Sequence, residues 1–389
     1  MKILVVDDEA DLELLIRQKF RKQVQSGAYT FFFAHNGVEA LEHLKQHHDI
    51  EVVLTDINMP EMDGLTLLVK IGELDRVLRA VVVSAYGDLD NIRTAMNRGA
   101  FDFLTKPIDF SDLELTVEKT IKQVTQLRQS VHEHARLESI QRELEMARTM
   151  QQAILPQIFP AFPDRHEFDL FAEMIPARMV GGDFYDYFLV DREHLGMVIA
   201  DVADKGIPAA LFMMMSRTLL RARALNNLPP GQCLKEVNTM LCDNNDSAMF
   251  VTLFYAVLDI ASGVVRFANG GHNPPCLVRA AGAIETLQTQ AGPVLGVIED
   301  ATYEEQTITL QPHDAIFFYT DGVTEAEAAD QGFFCEERLH NVLQQCRGAS
   351  AKAMVESVVS AVRQFAENAP QSDDITAMAM CYMPEAGPA

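Results

Sequence analysis

The chain of 389 residues contains no tryptophan and is short of cations, with 32 lysines and arginines against 56 aspartates and glutamates. A formal net charge of −24 excludes non-specific nucleic-acid binding, which needs cations set against phosphates. No compact basic helix-turn-helix follows residue 122, which disfavours a DNA-binding regulator as well. The six cysteines (233, 242, 276, 335, 346 and 381) show no paired metal-ligand spacing. No apolar run reaches the length of a membrane span, and Met1-Lys2-Ile3-Leu4 lacks the form of a signal peptide. The expected setting is the reducing cytoplasm, with neither a membrane nor a nucleic acid as partner. The missing tryptophan excludes nothing. Hydrophobic residues make up 48% of the chain, enough to build two domains and a connector.

Glycine and proline are also absent from Asp112 to Leu155, where Gln, Glu, Leu, Arg and Met dominate. The composition predicts one helix over 112–155, near 60 Å long at about 1.5 Å per residue. Leu113, Val117, Val124, Leu127 and Val131 fall close to a seven-residue rhythm, and Leu137, Ile140, Leu144 and Ala147 continue it in a shifted register. An exposed apolar stripe needs a partner, so the expectation is a homodimer through this connector. The alternatives are a solvated spacer helix, or a helix folded back on its own chain in a monomer.

Before the connector, in residues 1–122, short apolar runs alternate with helical patterns: Ile3–Val6, Tyr29–Ala34, Val52–Thr55, Ala80–Val83 and Phe101–Leu104 are the strands. Nearly continuous apolar strands with intervening helices indicate a doubly wound five-stranded parallel sheet covered on both faces. Polar residues follow the strands where such a sheet carries its site: Asp7 and Asp8, Asp56, Ser84 and Lys106. Three converging carboxylates favour a hard divalent cation with oxygen ligands, and a hydroxyl and a lysine beside them suit phosphoryl transfer onto a carboxylate.

In these residues the segment resembles the receiver domain of bacterial two-component response regulators. The resemblance implies that Asp56 is the phosphoacceptor and that a sensor histidine kinase is the phosphodonor. It implies Mg²⁺ held by Asp7, Asp8, Asp56 and the Asn58 carbonyl. Ser84 and Lys106 become phosphoryl contacts, Phe103 the aromatic switch, and Pro107 a residue usually joined by a cis bond.

After the connector, residues 156–389 carry acidic motifs at strand edges: Gly182-Asp183, Asp201-Val202, Asp321-Gly322 and Asp373-Asp374. Each alone is weak, since Asp-Gly is a common turn. Together, without a Cys/His cluster, they read as a carboxylate site for Mn²⁺ or Mg²⁺, and two such ions can activate a water and clamp a phosphoryl group. Strands at Phe168–Ala172, Leu195–Ala200, Val251–Leu258, Val264–Ala268, Ala315–Tyr319 and Ile375–Met380, with helices at Ile207–Leu225, Leu234–Cys242, Phe334–Gln345 and Ala351–Ala366, predict an α+β domain of sheets sandwiched between helical layers. Arg178 is a candidate phosphate or fold contact. His272 is a candidate substrate contact or acid, or a residue that shapes the Gly270–Pro275 turn.

Gln151, Ile154-Leu155-Pro156, the stretch from Ala177 to Asp186, Asp201 to Leu211, Gly270 to Pro275, Phe318 to Gly322 and Ser372 to Thr376 together resemble the SpoIIE-like, RsbU-like metal-dependent serine/threonine phosphatases. The resemblance implies that Asp183 binds one ion, that Asp201 bridges two, and that the Val202 carbonyl, Asp321 and Asp373 complete the set. Asp374 stands where many relatives carry asparagine, and Ala203 stands where eukaryotic relatives carry histidine. The implied substrate is a phosphorylated anti-sigma-factor antagonist. The alternative is a non-catalytic adaptor that binds a sigma factor or its regulator through a phosphatase-shaped domain.

Overall fold

The computed structural model describes residues 1–384 apart from 75, 86–87, 244, 283, 329–331 and 368. The chain divides into two compact units, Met1–Ile140 and Gln141–Ala389.

The first unit runs β1 (Lys2–Val6), α1 (Ala10–Lys19), α2 (Arg21–Gln25), β2 (Thr30–Ala34), α3 (Gly37–Gln46), β3 (Ile50–Asp56), α4 (Gly64–Gly72), β4 (Arg79–Ala85), α5 (Leu89–Asn97), β5 (Asp102–Lys106) and the start of α6 (Phe110–Ile154). All pairings in the sheet are parallel and the strand order is β2-β1-β3-β4-β5. Alternate residues of each strand feed two cores: Leu4, Val6, Val53 and Val82 one face, Ile3, Val5, Leu54 and Val83 the other. Burial on both faces is why these strands read as unbroken apolar runs. Asn36 and Asp63 cap α3 and α4 through backbone N–H groups of their first turns.

Helix α6 runs unbroken over 45 residues. Its apolar stripe is divided in use, contrary to the expectation that it all packs on a second copy. Leu113, Val117 and Val124 are buried against Ile3, Val5 and Leu104 of the first unit's own sheet. Glu114, Lys119 and Arg128 pair with Lys19, Asp102 and Glu51, pinning the same turns. Val131, Leu137 and Ile140 lie beyond those pairs and are exposed, at 58%, 65% and 44%.

The second unit contains β6 (Phe168–Ile175), β7 (Phe184–Leu189), β8 (His194–Val202), α7 (Ile207–Ala224), α8 (Pro230–Cys242), β9 (Val251–Asp259), β10 (Val264–Gly270), β11 (Cys276–Val278), β12 (Ile284–Thr286), β13 (Gln306–Thr309), β14 (Ala315–Tyr319), α9 (Asp321–Thr324), β15 (Glu327–Ala328), β16 (Gly332–Phe333), α10 (Cys335–Gln345), α11 (Ala351–Ala366) and β17 (Ile375–Tyr382). Two five-stranded antiparallel sheets, ordered β13-β10-β9-β8-β7 and β12-β11-β14-β17-β6, face each other. Phe254 of β9 meets Phe318 of β14 edge-on across the gap, with ring centroids 5.9 Å apart. The period of two along a strand assigns each side chain a layer. Ile316, Phe318, Met378 and Met380 enter the core between the sheets, whereas Phe317, Tyr319, Ala377 and Ala379 pack on Leu339, Met354 and Val358 of α10 and α11. Helices α7 and α8 join the core of the other sheet through Ala209, Met213, Leu220, Leu234 and Val237. Each such leucine, valine, isoleucine, phenylalanine or methionine contributes roughly 1.5–3 kcal/mol by its burial. No helix among the described residues is long and apolar enough to cross a membrane.

Candidate functional site

In the first unit the carboxyl ends of β1, β3, β4 and β5 gather the expected residues. Among the described residues, Asp7, Asp8 and Asp56 form an acidic trio whose ligand oxygens lie within 4.8 Å of one another. The Lys106 ammonium sits 2.8 Å from Asp56 Oδ2 and 3.1 Å from Asp7 Oδ2. Burial opposes the Lys106 charge, but the hydrogen bonds to both aspartates outweigh it and hold the ammonium above its ordinary range. Burial likewise pushes the Asp7 carboxyl up, against the pull of the Glu9 N–H and Lys106. Ser84 is fully buried on β4, and its Oγ has no hydrogen-bond partner among the described residues. A buried hydroxyl without such a partner keeps its capacity to bond an incoming oxygen. Phe103 lies half exposed on β5, Asn58 is exposed just after β3, and the Lys106–Pro107 bond is cis.

In the second unit the four expected aspartates come from four places. Asp183 precedes β7, Asp201 lies near the end of β8, Asp321 opens α9, and Asp373 precedes β17. The β7–β8 pairing, with Phe184 opposite Ala200, brings Asp183 beside Asp201. Burial, then the neighbouring charges of Asp201 and Asp374, push Asp183 well above the usual carboxylate range. Burial and Asp321 push Asp201 up to about 7. Burial, Asp373 and Glu325 raise Asp321. A cleft that penalises its own carboxylate charges in this way calls for cations.

Asp374 has a different task from its neighbour. Its Oδ1 accepts the Ala177 N–H at 2.7 Å, and its Oδ2 accepts the Gly182 N–H at 2.7 Å. The carboxylate thereby ties down the loop that presents Asp183. The paired glycines are required there: a Cβ on Gly181 would lie 2.3 Å from Asp374 Oδ2, and one on Gly182 would lie 2.9 Å from the Val202 carbonyl oxygen. Gln151, in the last turn of α6, closes the other side of the loop. It donates to the Gly181 carbonyl at 2.6 Å and accepts the Gly181 N–H at 3.1 Å.

Three functional residues had no assigned role in the sequence reading. The Thr320 hydroxyl donates to Asp183 Oδ2 at 2.7 Å and accepts the Thr376 N–H at 3.1 Å, fixing the carboxylate's direction. The signal was a threonine closing the apolar strand β14. Lys205, the cation inside the Asp201–Gly206 motif, places its Nζ 2.8 Å from Asp373 Oδ2. Asp186, three residues past Asp183, is buried and pairs with Arg217 at 3.0 Å and Arg221 at 2.8 Å, bonding β7 to α7.

His272 is buried, with Nδ1 2.8 Å from the Thr252 hydroxyl, while its backbone exchanges hydrogen bonds with the Asn269 side chain. Burial pulls its pKa down to about 4, so it is neutral near pH 7. This arrangement shapes the Gly270–Pro275 turn. Arg178 is exposed, near Gly206.

The family model for the response regulator receiver domain matches residues 3–118, and that for stage II sporulation protein E (SpoIIE) matches residues 191–382. Protein IcfG of Synechocystis sp. is 32% identical over 61% of this chain, which spans 41% of that protein. The chain thus corresponds to well under half of that relative's length. Phosphoserine phosphatase RsbU of Bacillus subtilis is 32% identical over 58% of this chain and 67% of its own length. Among solved structures, the SiaA-PP2C domain of Pseudomonas aeruginosa superimposes with a TM-score of 0.57 at 23% identity, covering 64% of this chain and 99% of that domain. That likeness establishes a shared fold for the second unit. With the receiver match in the first unit and the SpoIIE match in the second, the chain belongs to the bacterial response regulators that join a receiver domain to a SpoIIE-type domain.

Proposed function

We propose that this chain is a response regulator whose output is a metal-dependent protein serine/threonine phosphatase, switched by phosphorylation of Asp56 and working in the cytoplasm. The observation that carries the proposal is the cleft in which Asp183, Asp201, Asp321 and Asp373 crowd together, with Asp201 pushed up to about 7. Acidic oxygens that repel one another, with Asp183 held by a buried hydrogen bond from Thr320, fit hard divalent ions. Asp183, Asp201, Asp321, Asp373 and the Val202 carbonyl would hold two Mn²⁺ or Mg²⁺. When bound, the ions supply Lewis acidity toward the phosphate and activation of the attacking water. The chain's own contribution is orientation: Asp374 and Gln151 fix the Gly181–Asp183 loop, and Thr320 aims the Asp183 carboxylate. His272, neutral and engaged by Thr252, is cast as a positioning residue, and Arg178 is left for the phosphate approach.

In the receiver, Asp7, Asp8, Asp56 and the Asn58 carbonyl would hold Mg²⁺. Asp56 takes the phosphoryl group from a sensor histidine kinase, Ser84 and Lys106 meet its oxygens, and Phe103 turns with them. The name of the RsbU relative supports a phosphoserine substrate, and we assign that substrate to a phosphorylated anti-sigma-factor antagonist. The connector, 112–155, would carry the signal and join two copies. A non-catalytic adaptor would not need four retained carboxylates in one cleft.

The test measures hydrolysis of an aryl phosphate and of a phosphoserine protein, with and without chelator, in the wild type and in Asp201→Asn and Asp373→Asn. Loss of activity in each case is expected. Activity indifferent to chelator and to both substitutions overturns the metal-dependent reading, and inactivity on every phosphoprotein tried favours the adaptor.

A further inference from the structure

The SpoIIE-type cleft already has a cation of its own. Lys205 places its ammonium 2.8 Å from Asp373 Oδ2 and donates to the Ser372 carbonyl at 2.6 Å. Its field also reaches Asp321, whose carboxyl it pulls down against burial and the repulsion of Asp373. The backbone is shaped for this reach. Asp204 and Gly206, on either side, both adopt left-handed conformations, with φ of 72° and 88°. The Asp204 side chain accepts the Lys205 N–H at 2.7 Å and steadies the turn. A non-glycine residue in that region is strained and persists where the surroundings fix it. The side chains of Lys205 and Asp373 are each about one-third exposed, at 33% and 31%, so the pair can open without unpacking the core.

We propose that Lys205 is a mobile cation shared between Asp373 and the substrate: it yields Asp373 to a divalent ion and then turns its ammonium to the substrate phosphate. This deepens the phosphatase reading and rests on it. A lysine ammonium is a compact charge on a flexible stem with three donors, suited to exchanging one anionic partner for another. An ammonium and a divalent ion on one carboxylate repel each other, so the two compete for Asp373. A seryl phosphate brought beside Asp183, Asp201, Asp321 and Asp373 meets a surplus of negative charge, and Lys205 is a cation in contact with that set. Releasing this ammonium when the metal binds would place the positive charge where the phosphate needs it.

The experiment titrates full-length protein with Mn²⁺ in a calorimeter, comparing wild type, Lys205→Met and Lys205→Arg, with thermal melts to confirm folding. Lys205→Gln replaces the methionine variant if that variant does not fold. Removing a partly exposed competing charge should tighten Mn²⁺ binding by about fivefold. Inorganic phosphate, tested as a competitive inhibitor of the Mn²⁺-saturated enzyme, should bind Lys205→Met about tenfold more weakly because a charge-assisted hydrogen bond is lost. Lys205→Arg, which keeps the charge, should stay near wild type in both. Unchanged or weaker Mn²⁺ binding by Lys205→Met overturns the proposal, and so does tighter metal binding with unchanged phosphate inhibition. Wild-type protein that takes up no Mn²⁺ strikes the metal site itself, a failure distinguishable from the other two.

Discussion

Asp374 Oδ2 accepts the backbone N–H of Gly182 at 2.7 Å, joining positions 192 residues apart and setting the loop from which Asp183 enters the cleft. Asp374 Oδ1 accepts the Ala177 N–H, so both oxygens are needed as acceptors. Asparagine keeps one acceptor and turns an amide NH2 toward the other N–H, while it removes a charge that helps raise Asp183. Asp374→Asn should therefore destabilise by about 1–2 kcal/mol in chelator. Asp374→Ala leaves the N–H groups of Ala177 and Gly182 without their acceptor, at a cost of about 2–4 kcal/mol. Urea unfolding of the two variants in chelator separates these outcomes. Equal destabilisation by both would show that the remaining carbonyl oxygen contributes nothing.

Asp186 offers a second stability test. Its carboxylate is buried between Arg217 and Arg221, which lie on α7 one turn apart. Asp186→Asn strands the Arg217 guanidinium, whose side chain is only 11% exposed, and should destabilise by about 3–5 kcal/mol. Arg221→Ala removes a cation with 39% side-chain exposure and should cost about 1 kcal/mol or less for its ion pair. Chemical denaturation monitored by circular dichroism reads both values.

The pH dependence of the chelated protein sums several contributions, those of the raised Asp183, Asp321 and Asp7 included, and two opposed ones have defined windows. Asp201 is raised from 3.8 to about 7, so its protonation stabilises the fold fully below pH 3.8 and that contribution fades as pH rises through 7. His272 is lowered from 6.5 to about 4, so its contribution is complete above pH 6.5 and fades as pH falls through 4. Asp201→Asn removes the first and relieves part of the repulsion that raises Asp183. Its melting temperature in chelator should exceed that of wild type at pH 8, with the gap closing toward pH 4. Mn²⁺ at pH 8 should raise the wild-type melting temperature by mass action and leave Asp201→Asn less affected. A gap independent of pH would show that Asp201 does not titrate in this window.

The receiver makes its own prediction. Lys106 is bonded to Asp56 at 2.8 Å, so a phosphoryl group on Asp56 must re-form that contact through its own oxygens and engage the unpartnered Ser84 hydroxyl. A small phosphodonor such as acetyl phosphate should raise phosphatase activity about fivefold or more in wild type, within the usual range of coupling free energies. Asp56→Asn should not respond, and Ser84→Ala should respond less. Equal rates in all three would remove Asp56 from regulation.

The receiver architecture was legible in the sequence because a two-faced parallel sheet makes every strand an apolar run that ends at a polar site residue. Val52-Val53-Leu54-Thr55 running into Asp56 is such a run. Sheet order in the second unit was not legible, since β14 and β17 are buried on both faces and carry no mark of their neighbours. Strand β7 was missed because Phe184-Tyr185-Asp186-Tyr187 holds a buried carboxylate whose partners lie on α7. The three- and four-residue strands β11, β12 and β13 are too short for a period to show. The aspartates of the cleft could be found from their motifs. The tasks of Thr320 and Asp374 could not, because their partners lie 137 and 192 positions away.

Burial also changes how the proposed dimer is to be tested. Val124 is fully buried against the receiver's own sheet, so Val124→Glu would destabilise the first unit whether or not a dimer exists. The informative positions are Leu137 and Ile140, which expose apolar surface. Each leucine or isoleucine pair buried against a second copy contributes roughly 1.5–3 kcal/mol per side chain, enough in combination to offset the entropy of association. Leu137→Glu/Ile140→Glu should convert a dimer to a monomer in sedimentation at tens of micromolar while leaving the melting of the receiver unchanged. Because Gln151 of the same helix holds Gly181 in the loop that carries Asp183, the monomeric variant should also lose its response to acetyl phosphate. A wild-type protein that sediments as a monomer, with and without phosphodonor, overturns the dimer. A monomeric variant that still responds would confine signalling to contacts within one chain.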